Sequence, residues 1–158
     1  MVRLADLSES ERAHSLQLRD KSPRFDTQPC VNGPPLAKRR VAIVSTAGLH
    51  RRDDTPFSNG SGATGYRVIP GDTPSGDLLM SHISVNFDRS GFRRDINLVF
   101  PLDRLREMAA DGEIGSVADI HYSFMGAPFP PTRFEARARE LAALLHRDKV
   151  DAAILLPV

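Results

Sequence analysis

Asp151-Ala152-Ala153-Ile154-Leu155-Leu156 is an apolar run of strand length, the pattern of a strand buried between layers. Directly upstream, Phe134, Ala138, Leu141, Ala142 and Leu145 recur at helical spacing as far as His146, which predicts an amphipathic helix. Behind Pro130-Pro131, Thr132-Arg133-Phe134-Glu135 has the T-x-x-E spacing of a capping box. Val117 to Tyr122 reads as a strand, and Leu102, Leu105, Met108 and Ala109 share one helical face between Pro101 and Gly112. The first strand of the series is Arg40-Val41-Ala42-Ile43-Val44-Ser45, apolar and β-branched. Strand, helix, strand, helix, strand in this order argues for an α/β layered fold with a mostly parallel sheet, Rossmann- or flavodoxin-like and incomplete at its C-terminus.

Between the first strand and the first helix the signals are shorter. Thr46 to His50 reads as a loop, Tyr66-Arg67-Val68-Ile69 as a short strand stopped by Pro70, and Leu78 to Val85 and Ile96 to Phe100 as further strands. Residues 51–65 are polar and glycine-rich. Their closing segment, Asn59 to Gly65, lacks both the G-K-[ST] ending of a phosphate loop and the spacing of a dinucleotide fingerprint. Ahead of the core, Leu4 to Arg19 predicts a modest polar helix opening at Ser8-Glu9-Ser10-Glu11, and Lys21 to Pro35 a linker or wrapping arm. The chain thus divides into an N-terminal helix and Pro-rich arm, 1–39, and an α/β domain, 40–158.

Composition narrows the function classes. The 158 residues are 41% hydrophobic and 26% charged, with 12 Pro and 11 Gly, ordinary for a globular chain that needs no disulfide or metal to fold. Residues 1–40 hold eight basic and five acidic side chains and the net charge is +1, too mild for a nucleic-acid footprint. Lys38-Arg39-Arg40 is expected to be a solvated lead-in to the first strand. The longest apolar run, Ala152 to Val158, falls far short of the roughly 20 residues that cross a bilayer. No basic segment leads into an apolar one near Met1. Cys30 is the only cysteine, so no intrachain disulfide forms and a cytoplasmic setting is expected.

Candidate site residues are those that fall at strand ends. His82 with Ser84 is placed to hydrogen-bond a substrate carboxylate or to protonate a leaving amine. Asp95 and Asn97 flank Ile96 and would share one side of an extended segment, anchoring a turn or orienting His82. His121 and Ser123 share a face just before Phe124-Met125-Gly126. His82, His121 and Asp95 are therefore the expected catalytic groups, and Ser84, Asn97, Ser123 and His50 the expected substrate-binding groups. His50 with Asp53 and Asp54 lacks metal-ligand spacing, and no metal is expected.

Several stretches together resemble a known family. They are Val44-Ser45-Thr46-Ala47-Gly48-Leu49-His50, Tyr66-Arg67-Val68-Ile69-Pro70, Ser81-His82-Ile83-Ser84, Asp95-Ile96-Asn97-Leu98-Val99-Phe100-Pro101, Ile114-Gly115-Ser116-Val117-Ala118-Asp119 and His121-Tyr122-Ser123-Phe124-Met125-Gly126. In that order and spacing they resemble the selenoprotein B family of glycine, sarcosine, betaine and D-proline reductases. The likeness runs from about Val41 to Val158, and the first 40 residues carry no part of it. The resemblance implies reductive cleavage of a C–N bond: a selenocysteine selenolate attacks the α-carbon of an amino-acid-derived substrate, and the nitrogen leaves. It also implies a pyruvoyl group on a partner subunit and a resolving thiol or carrier selenoprotein.

This sequence departs from the pattern at the nucleophile. It has no selenocysteine and no cysteine after Cys30. Selenocysteine is encoded by UGA, so the expectation is that Val158 ends a truncated translation, the reactive residue follows it, and the 158-residue chain alone is inactive. Loss of a covering helix would then expose Ile154 and Leu156. The rival reading is a non-catalytic α/β subunit that holds a small amino acid through the region of His82, Asp95 and His121.

Overall fold

The computed structural model describes residues 3–24, 26, 31–58, 63–83, 89–126 and 130–158. Arg40–Ser45 forms β1, and its alternation decides the layering: Val41 and Ile43 join one apolar core while Val44 packs into the other. On one edge β1 pairs in parallel along its length with β7, Ala152–Leu156. On the other edge it pairs in parallel with β5, Ser116–Val117, and then β6, Ile120–Phe124. β3, Tyr66–Pro70, runs antiparallel along the far side of β6. The result is an α/β fold with a mostly parallel sheet.

Each face of the sheet has its own cover. On one side lies α3, Leu102–Ala110, with Leu102 and Leu105 packed among Val99, Phe100, Ile114, Val41 and Ile43. A small antiparallel pair closes that core: β2, Leu49–Arg51, bonded to β4, Leu78–Met80. On the other side α4, Glu135–Arg147, buries Leu141 against Tyr122 and Phe124. The N-terminal helix α1, Glu9–Lys21, buries nothing and is held locally, Ser8 and Glu11 capping each other's backbone N–H groups. A five-residue helix, α2 (Ser90–Arg94), precedes the turn that leads into α3. Among the described residues no helix is long and apolar enough to cross a membrane.

Several sequence expectations change, each for a local reason. Ile96 to Phe100 is not a strand. The Asp95 carboxylate accepts the Asn97 N–H and starts a 3-10 turn, Ile96–Leu98, an Asx bond that outcompetes extension. Asp95 and Asn97 consequently do not flank an extended residue. The predicted strand from Leu78 is already over at Met80, and residues 84–88, including Ser84, lie outside the described set. Residues 49–51, read as loop, are β2. The single strand expected over Val117 to Tyr122 is two, because the register against β1 slips from Val41↔Val117 to Val44↔Tyr122.

The capping box at Thr132 does not form. Pro131 opens a 3-10 turn, Pro131–Phe134, and Phe134 caps α4 with no side-chain bond. Arg40 is no solvated lead-in. Its guanidinium binds Asp148 at 2.7 Å and Asp119 at 3.0 Å and donates to the Val117 carbonyl, tying the start of β1 to the end of β5 and to the residues that lead into β6 and β7. Ile154 and Leu156 face the α3 core, and Leu155, 71% exposed, is the residue that projects outward.

Candidate functional site

In parallel α/β sheets the carboxyl ends of the strands are where ligands gather, and here three of them converge. Thr46, just past β1, donates its N–H to the Leu156 carbonyl at 2.9 Å. Its Oγ1 accepts the Val158 N–H at 2.8 Å. Gly126, past β6, fills the space between: a Cβ there would lie 2.6 Å from the Val158 carbonyl oxygen, 2.9 Å from His82 Nε2 and 3.0 Å from the Thr46 carbonyl oxygen. No side chain fits that gap, so only glycine allows His82, Thr46 and Val158 to meet.

His82 reaches this point because the loop after β1 presses on its backbone. Gly48 adopts φ +65°, and a Cβ on it would sit 3.0 Å from His82 N. The Gly48 carbonyl accepts the Ser81 N–H at 2.9 Å, while its own N–H donates to Phe124 at 2.8 Å. His82 is 4% exposed. Burial pushes its pKa down and the nearby Arg89 adds to this, opposed by a bond to the Val158 backbone. A neutral imidazole at the ends of β1, β6 and β7 can accept a proton or, once charged, release one.

The other expected site residues are used differently. His50 is buried, with Nδ1 donating to the Arg51 carbonyl at 2.8 Å and Nε2 paired with Ser81 Oγ at 2.8 Å. It therefore braces the residue next to His82. Ser123 Oγ accepts the Leu49 N–H at 2.8 Å and fixes the start of β2. His121 lies in the register slip between β5 and β6, where its Nδ1 accepts the Ile43 N–H at 3.0 Å. That leaves the proton of the neutral ring on Nε2, which is buried without a hydrogen-bond partner among the described residues. Burial, with Arg106 and Arg40 nearby, holds the His121 pKa down at about 4. Asp95 accepts both N–H groups of Asn97, and Asn97 in turn bonds Asp103.

Asp95, Asn97 and Asp103 border a cavity of about 580 Å³ whose wall also includes Met80, two residues before His82. Thr46 and Gly126 join the cluster at His82 although the sequence reading did not single them out as site residues. The signal was present: Thr46 directly follows β1 and Gly126 comes two residues after β6, at the strand ends where a parallel sheet gathers ligands. Among the described residues no three His, Cys, Asp or Glu side chains group as a metal site.

Comparison with known proteins gives one consistent result. Residues 4–157 match the family model of glycine/sarcosine/betaine reductase selenoprotein B, so the match takes in the N-terminal arm as well as the core. The chain is 38% identical over 121 residues to D-proline reductase subunit gamma of Acetoanaerobium sticklandii, covering 76% of this chain and 49% of that protein. It is 31% identical over 140 residues to glycine reductase complex component B subunit gamma of Symbiobacterium thermophilum, covering 84% of this chain and 32% of that one. Sarcosine reductase complex component B subunit beta of Peptoclostridium acidaminophilum is 32% identical over 123 residues, 76% of this chain and 28% of its own. The chain thus spans about half the length of the first relative and about a third of the other two. No solved structure gives a significant match.

Proposed function

The chain belongs to the glycine/sarcosine/betaine reductase selenoprotein B family, and from that premise we propose that it forms part of a subunit that reductively cleaves a C–N bond in an amino-acid-derived substrate. The relatives are subunits of multi-component reductase complexes. By the same reading this chain works with a pyruvoyl-bearing subunit and a carrier selenoprotein, in a cytoplasmic setting. The observation that carries the proposal is the meeting of His82, Thr46, Gly126 and Val158 at the carboxyl ends of three strands.

A selenocysteine C-terminal to Val158 would supply a soft nucleophile that is ionised at neutral pH without a strong base beside it. In the net reaction the C–N bond breaks, hydrogen replaces nitrogen on carbon, and two electrons come from a thiol or selenol reductant delivered by the carrier. What this chain contributes is a proton site and a dry wall. In this reading His82, once protonated, gives its proton to the departing amine. Thr46 and Gly126 hold the end of β7 against it.

The test is to read the codon after Val158 and then follow selenium. An in-frame UGA with coding sequence beyond it, radioselenium in the full-length product and amino-acid reductase turnover in the reconstituted complex are expected. The chain ending at Val158 should show no turnover. Full-length protein without selenium and without turnover, but still binding glycine derivatives, would replace this reading with the non-catalytic binding subunit.

A further inference from the structure

The cavity bordered by Asp95, Asn97 and Asp103 has a divided chemistry that the proton site does not explain. Its floor is apolar, with Leu78, Met80, Phe92 and Ile96, while Arg89, Arg93 and Arg94 stand along its wall. Two acids also border it, but both are engaged. Asp103 accepts from Ser75 Oγ at 2.6 Å, from Asn97 Nδ2 at 3.1 Å and from Arg106 at 2.8 Å. Asp95 accepts from the Asn97 backbone and side chain, both at 2.9 Å. Arg93 and Arg94 are exposed and neither forms an ion pair with a described carboxylate. Asp103 is paired with Arg106, so three arginines line the cavity against the Asp95 carboxylate, and positive charge is in excess beside apolar side chains suited to a small hydrocarbon body.

We propose that this cavity recognises the carboxylate of a small amino-acid-derived substrate, with Arg93 and Arg94 as the carboxylate clamp and Arg89 as the cation shared between the cavity and the surroundings of His82. This rests on the reductase reading for the nature of the substrate. The lining supports it, since Arg89, Arg93 and Arg94 all border the cavity and Met80, two residues before His82, is in the same wall; the charge of Arg89 also lowers the His82 pKa. A carboxylate held there leaves the nitrogen end of the molecule free to turn toward the strand ends. Recognition through the carboxylate is indifferent to how many methyl groups the nitrogen carries. One site of this kind serves primary, secondary and quaternary amines alike.

Calorimetric titration of the full-length protein with D-proline and with pyrrolidine, which lacks only the carboxylate, tests the assignment. D-Proline should bind and pyrrolidine should not. R93Q/R94Q should weaken D-proline binding by about tenfold or more, the loss expected for charged hydrogen bonds, with thermal unfolding unchanged because both side chains are exposed. R89Q should weaken it as well and raise the NMR titration midpoint of His82. Equal binding of D-proline by wild type and R93Q/R94Q, or equal binding of pyrrolidine, overturns the clamp and leaves the reductase reading standing. Acetate binding lost in R93Q/R94Q, with no D-proline binding, keeps the anion site but overturns the amino-acid substrate.

Discussion

At the scale of single residues, three buried polar side chains serve one purpose. Ser45 Oγ, Ser123 Oγ and His121 Nδ1 each accept a backbone N–H, from Ala47, Leu49 and Ile43, that no strand carbonyl reaches. His121 fills the gap at a cost in acid sensitivity. Its pKa is about 4 in the fold against 6.5 for an ordinary histidine, so between those values the unfolded chain binds a proton that the native chain excludes. Stability therefore rises with pH through this window; it is complete above about pH 6.5 and falls by about 3 kcal/mol on the way to pH 4. His82, also lowered, adds in the same direction, while the lowered carboxylates start from 3.8 to 4.5 and act only at lower pH. Urea midpoints at pH 8, 6 and 4.5 should show the decline, and His121→Gln, which keeps an acceptor for Ile43, should flatten it. An equally steep decline in that variant would remove His121 from the account. Gly126→Ala should cost about 1–3 kcal/mol through overpacking and shift the His82 imidazole resonances; native stability with unmoved resonances would contradict the close approach.

Among elements, the decisive partnership is that of α3 with the two 3-10 turns beside it. The Asp103 carboxylate, in the first turn of α3, binds Ser75 of the turn Ser75–Asp77, Asn97 of the turn Ile96–Leu98, and Arg106 one helical turn on. Arg106 extends the tie to the carbonyls of Gly71 and Thr73. Asp95 and Asn97 belong to this clasp, which shapes the cavity wall without placing either side chain on His82. Asp103→Ala should lower stability by about 1–2 kcal/mol, reduced from the value of a fully buried charged bond because the side chain is a third exposed. Hydrogen exchange should rise at Asp77, Asn97 and Leu98 while β1 stays protected. If exchange rises in β1 to the same extent, the clasp is part of the global core and not a local one.

For the whole molecule, the uneven covering of the sheet matters most. The α4 face leaves an apolar groove of about 330 Å³ along β7, bordered by Val44, Phe124, Leu141, Leu145 and Leu155. Among the described residues β7 pairs only with β1, and an exposed apolar edge of this kind promotes association. The chain of 158 residues should therefore show concentration-dependent light scattering. Leu155→Lys should suppress it with a stability change within about 0.5 kcal/mol, the usual range at an exposed site. Scattering unchanged by that substitution would shift the cause of association away from β7.

The sequence by itself determined the layers. Period-2 and period-3.6 apolar patterns are read locally, so β1, α3, α4 and β7 were legible, and so was the family, because ordered short motifs survive without three-dimensional information. His82 was legible as a strand-end histidine. What only the tertiary structure decided are the pairings between distant residues. The register slip that turns His121 into a backbone acceptor depends on where β1 meets β5 and β6. The gap at Gly126 depends on Val158 and His82 arriving from distant parts of the chain. Hydrogen-bond demand and close approach are properties of the assembled sheet, and no residue carries them until its partners are in place.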